Sequence, residues 1–431
     1  MIPDGSLDGL ETGAVVVGGG QAGLAASYHL ARLGVDHVVV ERSEVAWEWK
    51  HRRWDSFCLV TPNWQCQLPG FPYGGDDPDG FMVRDDIVRY LEAYVEWSEP
   101  PLVTGVEVIG VRQGLAGDFA VTTSAGTILA RHVVVCTGPY QEPTVPPLAE
   151  ALPAELTQIH SSAYRRPSQL PDGDVVVVGT GQSGCQIAED LHRAGRTVHL
   201  ATGTAPRVAR FYRGRDVVAW LDDMGYYTKT VDEHPLGTDV RSNVNHYVTG
   251  RDGGHDIDLR AFAREGMELY GRLLGRSGSA LTFADDLSAN LDHADAVSEG
   301  IKDAIDAHIV AAGIVARSEE RYRPVWTPPP GERTIDLATT PIGSVVWCTG
   351  FRPDHGWLAA PVFDAAGRPL HQRGVTPTPG VYFLGLPWLL TWGSARFSGV
   401  GADAEHVAAV IADRLGGRHP PRDRTPARAA R

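Results

Sequence analysis

The chain has 431 residues, enough for two or three domains, with 43% hydrophobic and 21% charged side chains, the balance of an ordinary globular protein. A formal net charge of −14 argues against nucleic acid or an anionic membrane as partner, because phosphate binding needs a basic face. No apolar run approaches the length of a bilayer span, and the acidic start MIPDGSLDGLETG is not a secretory signal, so a cytoplasmic location is expected.

The first predicted strand, Ala14 to Val17, runs into Gly18-Gly19-Gly20-Gln21-Ala22-Gly23 and a helix to about Leu33. Gly34 stops that helix, and a second strand, Asp36 to Val40, ends at Glu41. Each part has a physical task. Gly18 permits the tight turn, Gly20 lets backbone approach a pyrophosphate, and Gly23 lets the helix pack close on the strand. The helix N-terminus presents free N–H groups to the phosphates. Glu41, placed after the second strand, can accept hydrogen bonds from an adenosine ribose. This turn is expected to bind a dinucleotide with an unphosphorylated ribose.

Next comes an aromatic stretch, WEWKHRRWDSFCLVTPNWQCQLPGFPY, at 47–73. The segment GVEVIGVRQGLAGDFAVTTSAGTILARHVVV alternates apolar residues between glycines and reads as a β-meander covering the first sheet. Its last strand ends in Thr137-Gly138, and Pro143, Pro146 and Pro147 then break regular structure, closing the first part of a domain at 1–149.

A second glycine turn follows: a strand from Asp174 to Val178, Gly179-Thr180-Gly181-Gln182-Ser183-Gly184, a helix to about Ala194, and a strand from Thr197 to Ala201. The position equivalent to Glu41 is Thr202. A carboxylate there would repel a 2′-phosphate, whereas Thr202 does not. Arg207, Arg210, Arg213 and Arg215 come soon after, with Arg207 and Arg210 expected to grip that phosphate. Two unlike dinucleotides in one chain imply electron transfer between them, with FAD retained and NADPH exchanged.

The stretch 205–330 is an acidic insertion. DLRAFAREGMELYGRLL has helical periodicity, and DDLSANLDHADAVSEGIKDAIDAHIVAAG reads as two helices. GSVVWCTGFRPD resembles the strand at 133–138 and is expected to mark the return to the first domain. The predicted fold is therefore α/β: two Rossmann-like domains, the NADPH domain (150–335) inserted in a discontinuous FAD domain (1–149 and 336–415). The basic, proline-rich tail 416–431 reads as disordered. Five cysteines without a CxxC pair are expected to be buried and reduced, and no metal-ligand spacing is present.

The GGGQAG and GTGQSG turns, both Thr-Gly strand ends and a His-x-x-x-Tyr segment between the turns resemble the class B flavin-dependent monooxygenases, the FMO-like superfamily, including its bacterial FMO-like oxidoreductases. The resemblance implies that NADPH reduces FAD, that O2 is trapped as a flavin C4a-(hydro)peroxide, and that a small nucleophilic N- or S-containing or carbonyl substrate is oxygenated. It also implies contacts to the cofactors from Gln21, Ala22, Arg42, Trp47, Trp49, Val108, Thr137, Gly138, Gln182 and Ser183. Asn63 or Gln65 would approach the reactive edge of the flavin, and His160 and Tyr164 would organise the linker beside the nicotinamide. The family's segment FxGxxxHxxxY is only partly kept, since Ala154 and Leu156 stand where Phe and Gly are expected. Two other readings stay open here, an FAD-containing NADPH oxidase and an electron-transfer reductase. A disulfide reductase would need a pair of cysteines beside the flavin. The expected partners are the substrate and O2, with a homodimer open to the chain.

Overall fold

A computed structural model of the chain describes residues 7–114 and 117–416. Its first elements are β1 (Glu11–Val17), α1 (Gln21–Arg32), β2 (His37–Val40), α2 (Trp47–His51), α3 (Arg84–Ser98) and β3 (Leu102–Val103). The meander β4 (Val108–Gln113), β5 (Phe119–Thr123) and β6 (Gly126–Val135) follows. Then come β7 (Thr157–His160), β8 (Asp174–Val178), α4 (Gln182–Arg193), β9 (Val198–Ala201), α5 (Val217–Asp223), α6 (Leu259–Arg264) and β10 (Glu268–Tyr270). The remainder holds β11 (Leu273–Ser277), β12 (Ala280–Phe283), α7 (Leu287–Ala312), β13 (Thr334–Asp336), β14 (Ile342–Trp347), β15 (Leu358–Ala359), β16 (Val381–Phe383) and α8 (Val400–Arg414).

Two sheets carry the fold. The first has the order β15-β4-β5-β6-β1-β2-β3, with β16 also paired to β6. The second is wholly parallel, in the order β7-β14-β8-β9-β10. Along β1 the side chains alternate between two cores. Ala14 and Val16 pack with α1 and α8 residues such as Leu24, Val407 and Ile411, while Val15 and Val17 pack with Phe119 and Phe383 on the other face. Burial on both faces is why the central strands read as unbroken apolar runs.

Strands of the first sheet lie at 11–135 and 358–383, and those of the second at 157–347. The α/β class with an inserted second unit is therefore as expected. The boundary at 336 is not. β14 pairs with both β7 and β8, so it belongs to the second sheet. The chain rejoins the first sheet only at β15.

Two element readings also change. The periodic stretch at 258–274 is a helix only to Arg264; Gly266, at φ +104°, ends it, and β10 and β11 follow. The pair of helices expected after 285 is one helix, α7, of 26 residues. Gly300 inside it costs about 1 kcal/mol relative to Ala, which the continuous buried row Leu287, Leu291, Ala294, Ser298, Ile305 and Ile309 outweighs. The tail expected to be disordered lies, except for Gly416, outside the described residues.

Candidate functional site

The two glycine turns are near-replicas. Gly18 and Gly179 take φ of +106° and +105°, in the left-handed region where a side chain would be strained. A Cβ on Gly18 would lie 2.7 Å from the Cys136 carbonyl oxygen, and one on Gly179 would lie 2.6 Å from that of Cys348. On Gly23 and Gly184 it would come within 1.9 and 1.8 Å of the Gly18 and Gly179 oxygens. Above Gly20 and Gly181, by contrast, a Cβ would meet nothing within 4 Å. Neither α1 nor α4 has a side-chain cap at its N-terminus. Open space and uncapped N–H groups together fit a dinucleotide diphosphate at each turn.

The likeness between the two Cys-Thr-Gly strand ends now has a cause. Cys136 seats the first turn and Cys348 seats the second, each from the neighbouring strand of its own sheet. They are equivalent positions in two units, not two passes through one.

Beyond each turn the second strand is clasped differently. Glu41 Oε2 accepts the Gly19 N–H at 2.7 Å, and Oε1 accepts that of Ser43 at 2.9 Å. In the second unit the direction reverses: Thr180 Oγ1 accepts the Gly203 N–H at 2.9 Å. Thr202 is buried, donating to the Tyr270 carbonyl at 2.8 Å and accepting from Asn290 Nδ2 at 3.2 Å.

The arginines require a correction. Arg207 is 3% exposed, lies 2.7 Å from Asp295 Oδ1 and sits 4.0 Å over the Tyr322 ring. Arg210 is 1% exposed, pairs with Asp216 and donates to the Val60 carbonyl at 2.6 Å. Arg213 and Arg215 pair with Asp306 and Asp223. The guanidiniums expected to grip a 2′-phosphate are thus engaged inside the protein, where they brace α5, α7 and the first domain. Sequence spacing could not show this, because nothing in it marks which arginines are buried. Arg272, which the sequence reading missed, is exposed just beyond the Tyr270 carbonyl that holds Thr202. Its backbone N–H donates to Asp286 Oδ1 at 2.8 Å, while its guanidinium makes no ion pair among the described residues.

The other expected cofactor contacts divide by environment. Gln21 Nε2 donates to the Ala395 carbonyl at 3.2 Å, tying the first turn to the segment before α8. Ala22 is buried with its Cβ 2.7 Å from where a Cβ on Gly385 would lie, so it is a packing position. Arg42 is exposed. The Glu41 backbone is bonded on both sides, its N–H donating to the Val103 carbonyl at 2.8 Å and its carbonyl accepting from Val106 at 3.1 Å, while Val108 packs against the core of the first sheet. Trp49 stacks on Phe397 with ring centroids 6.1 Å apart, and Trp47 lies against His51 and Arg52. Thr137 Oγ1 accepts from Gln141 at 2.5 Å, and Gly138 takes φ +70°. Gln182 donates to the Val248 carbonyl, while Ser183 is half-buried at the α4 N-terminus.

Asn63 is buried and fully engaged: its Nδ2 donates to the Asp77 carbonyl at 2.9 Å and its Oδ1 accepts the Met82 N–H at 2.7 Å. It holds the 76–82 loop. Gln65, two residues later and 3% exposed, has a buried Oε1 with no partner. A buried amide oxygen left unpaired is a group that a bound molecule completes.

His160 is a neutral joint. Its Nδ1 accepts the Ser162 N–H at 3.2 Å, so the proton sits on Nε2, which lies 3.0 Å from the Gly350 carbonyl. Burial holds its pKa below the ordinary value. It fastens the end of β7 to the Thr349-Gly350 turn. Tyr164 is fully buried and donates to Asp190 Oδ2 at 2.7 Å; Asp190 also meets Ser56 and Arg251. Both residues tie down the segment they sit in, and neither is poised as an acid or base.

The family described as Pyridine nucleotide-disulphide oxidoreductase matches residues 15–222. A protein of Geobacillus kaustophilus named uncharacterized oxidoreductase CzcO-like is 32% identical over 400 residues, covering 91% of this chain and 96% of the relative. The rice protein indole-3-pyruvate monooxygenase YUCCA1 is 34% identical over 221 residues, 48% of this chain and 54% of that one. Among solved structures, a flavin-containing monooxygenase from Stenotrophomonas maltophilia aligns with a TM-score of 0.65 at 21% identity, covering 94% of this chain and 99% of the other.

Proposed function

The chain belongs to the CzcO-like oxidoreductase family, and on that premise we propose that it is an FAD- and NADPH-dependent monooxygenase delivering one atom of O2 to a small nucleophilic or carbonyl substrate. The observation that carries this reading is the pair of open glycine turns in a fold where, among the described residues, the thiols near the first of them are buried, Cys136 included, whose pKa burial raises. Burial pushes the Cys58 thiol up to about 11 and the Cys66 thiol up to about 12, so neither is a thiolate at neutral pH. Buried, protonated thiols weigh against a disulfide as the electron acceptor, and in this reading O2 takes that place. FAD, when bound, supplies hydride acceptance from NADPH and the activation of O2.

This chain's own residues bind and orient. The Gly18–Gly23 turn and the α1 N-terminus hold one diphosphate, with Glu41 fixing the turn through the Gly19 N–H. The Gly179–Gly184 turn and α4 hold the other. Gln65 would offer its unpaired amide oxygen to the flavin, while Asn63 keeps the 76–82 loop in place. His160 keeps the Gly350 turn against the second site. Arg272 takes the 2′-phosphate role that the buried arginines cannot.

The test is to give the FAD-loaded protein NADPH and isotopically labelled O2 together with small amines, sulfides and ketones. Labelled product formed in step with NADPH consumption is expected. Hydrogen peroxide matching all NADPH consumed, with no labelled product, would make the protein an oxidase. Turnover only after addition of an electron-carrier protein would make it a reductase.

A further inference from the structure

A cavity of about 500 Å3 lies between the two units, a size ordinary for a small-molecule site. No residue of either glycine turn lines it. The first unit contributes Trp64 and Asp79, and the second contributes Phe211, Arg215, Asp216 and Asp222. A short hairpin pairs Phe211 with Asp216 and Tyr212 with Arg215, and it leads directly into α5, which carries Asp222. Arg210, just before the hairpin, fastens it to the first unit: its guanidinium donates to the Val60 carbonyl at 2.6 Å and lies 4.8 Å over the Phe81 ring.

The charges around this cavity do not balance. Its one cation, Arg215, is paired with Asp223 and lies 4.7 Å over the Trp220 ring. Asp216 gives one oxygen to Arg210 and to the Val218 N–H, the latter at 2.7 Å, while its other oxygen is buried without a partner. The Asp79 and Asp222 side chains make no hydrogen bond or ion pair among the described residues. Arg215 is within electrostatic reach of Asp222, but burial and Asp223 outweigh it and hold that carboxyl above its ordinary value. Asp79 acts on Asp216 as a like charge. The rings are as free as the carboxylates. Trp64 is half-buried and Phe211 is 46% exposed, and neither has a ring or a cation against it among the described residues.

We propose that this cavity is a binding site for a small organic ammonium ion, held by Asp79 from one unit and Asp222 from the other, with the Trp64 and Phe211 rings against its alkyl groups. An ammonium is drawn both to a carboxylate and to the negative face of an aromatic ring, so one ligand satisfies both kinds of free group. An anion would meet three aspartates and one arginine that is already paired. Because the walls come from both units, the bound cation ties the 76–82 loop to α5. The site uses none of the residues that hold the dinucleotides in the monooxygenase reading, and its occupancy can be measured without turnover.

The experiment titrates the FAD-loaded protein calorimetrically, without NADPH and at fixed ionic strength, with choline and with putrescine. The alcohol 3,3-dimethylbutanol serves as the uncharged isostere of choline. Saturable binding of at least one cation is expected, with the alcohol at least about tenfold weaker than that cation. Choline as the tighter of the two would mean that the rings lead recognition, and putrescine that the carboxylates do. Asp79→Asn and Asp222→Asn combined should weaken the cation about tenfold, and Phe211→Leu about two- to fivefold, while FAD content and the KM for NADPH stay unchanged. Amide hydrogen exchange in the complex should slow in both 76–82 and 211–223, which locates the ligand. The lack of any saturable cation would overturn the proposal, as would equal binding of the alcohol or an unchanged affinity in the doubly substituted protein. Protection confined to segments outside 62–82 and 211–223 would place the cation elsewhere and overturn it too.

Discussion

Gly23 and Gly184 carry the tightest constraint on any single residue of the two sites, since each would place a methyl group inside the carbonyl contact of its own turn. Gly23→Ala is expected to yield protein that no longer retains FAD, seen in the flavin absorbance after purification. Gly184→Ala should keep its FAD but lose saturation by NADPH. The arginines divide in another way. Arg210→Ala leaves Asp216 without its buried counter-charge, a change worth about 3–5 kcal/mol, so its melting temperature should fall and its KM values for NADPH and NADH should shift together. Arg272→Ala should leave stability intact and raise the KM for NADPH about tenfold, with NADH unaffected. A loss selective for NADPH in Arg210→Ala, with Arg272→Ala silent, would restore the phosphate to the buried arginines. Glycine spacing made the turns legible in the sequence because a missing side chain is itself the signal. The arginines were misread because charge is visible in a sequence and burial is not.

Elements were legible where periodicity and a stop signal agreed, as in β1, α1 and the meander. They were misread where a helical start ran on into a strand: Met267 and Leu269, two apart and both buried, fit the spacing of a strand and not one face of a helix. α8 shows how an element's position alters chemistry. Its first turn should favour a carboxylate, yet Asp403 is 2% exposed with one oxygen unpartnered, and burial pushes its pKa up to about 6 despite Ser394 and Arg373. The folded chain therefore holds this proton more tightly than the unfolded one, whose aspartate titrates near 3.8. The resulting stability is complete below that value and is lost as pH rises through about 6, a total of about 2–3 kcal/mol. Asp403→Asn should remove this share of the slope. Thermal melts across that range would show an unchanged slope if the carboxyl were already ionised in the acid-side fold.

At the scale of the whole molecule, the 226–250 excursion of the second unit reaches back to the first. The Val231 N–H donates to the Leu390 carbonyl at 2.7 Å, Arg241 Nε to that of Trp388 at 3.1 Å, and Val231, Val240 and Trp388 form their own buried cluster. Trp388 takes φ +49°, a strained conformation for a non-glycine residue that the contact holds in place. Arg241→Ala should therefore raise amide hydrogen exchange in both 226–250 and 386–397 while FAD content stays constant. Exchange rising in only one of the two segments would mean that they are not coupled.

The sequence by itself determined the two dinucleotide turns, the acid that follows the first, the meander and the insertion of one unit in the other. These are local patterns, set by steric and periodic rules that act within a few residues. The tertiary structure alone decided that the strand at 342–347 completes the second sheet, that Arg207 and Arg210 are internal braces, and that Gln65 has an unpaired amide oxygen. Those outcomes depend on which side chains become neighbours and which lose water, and neither is written in the order of residues along the chain.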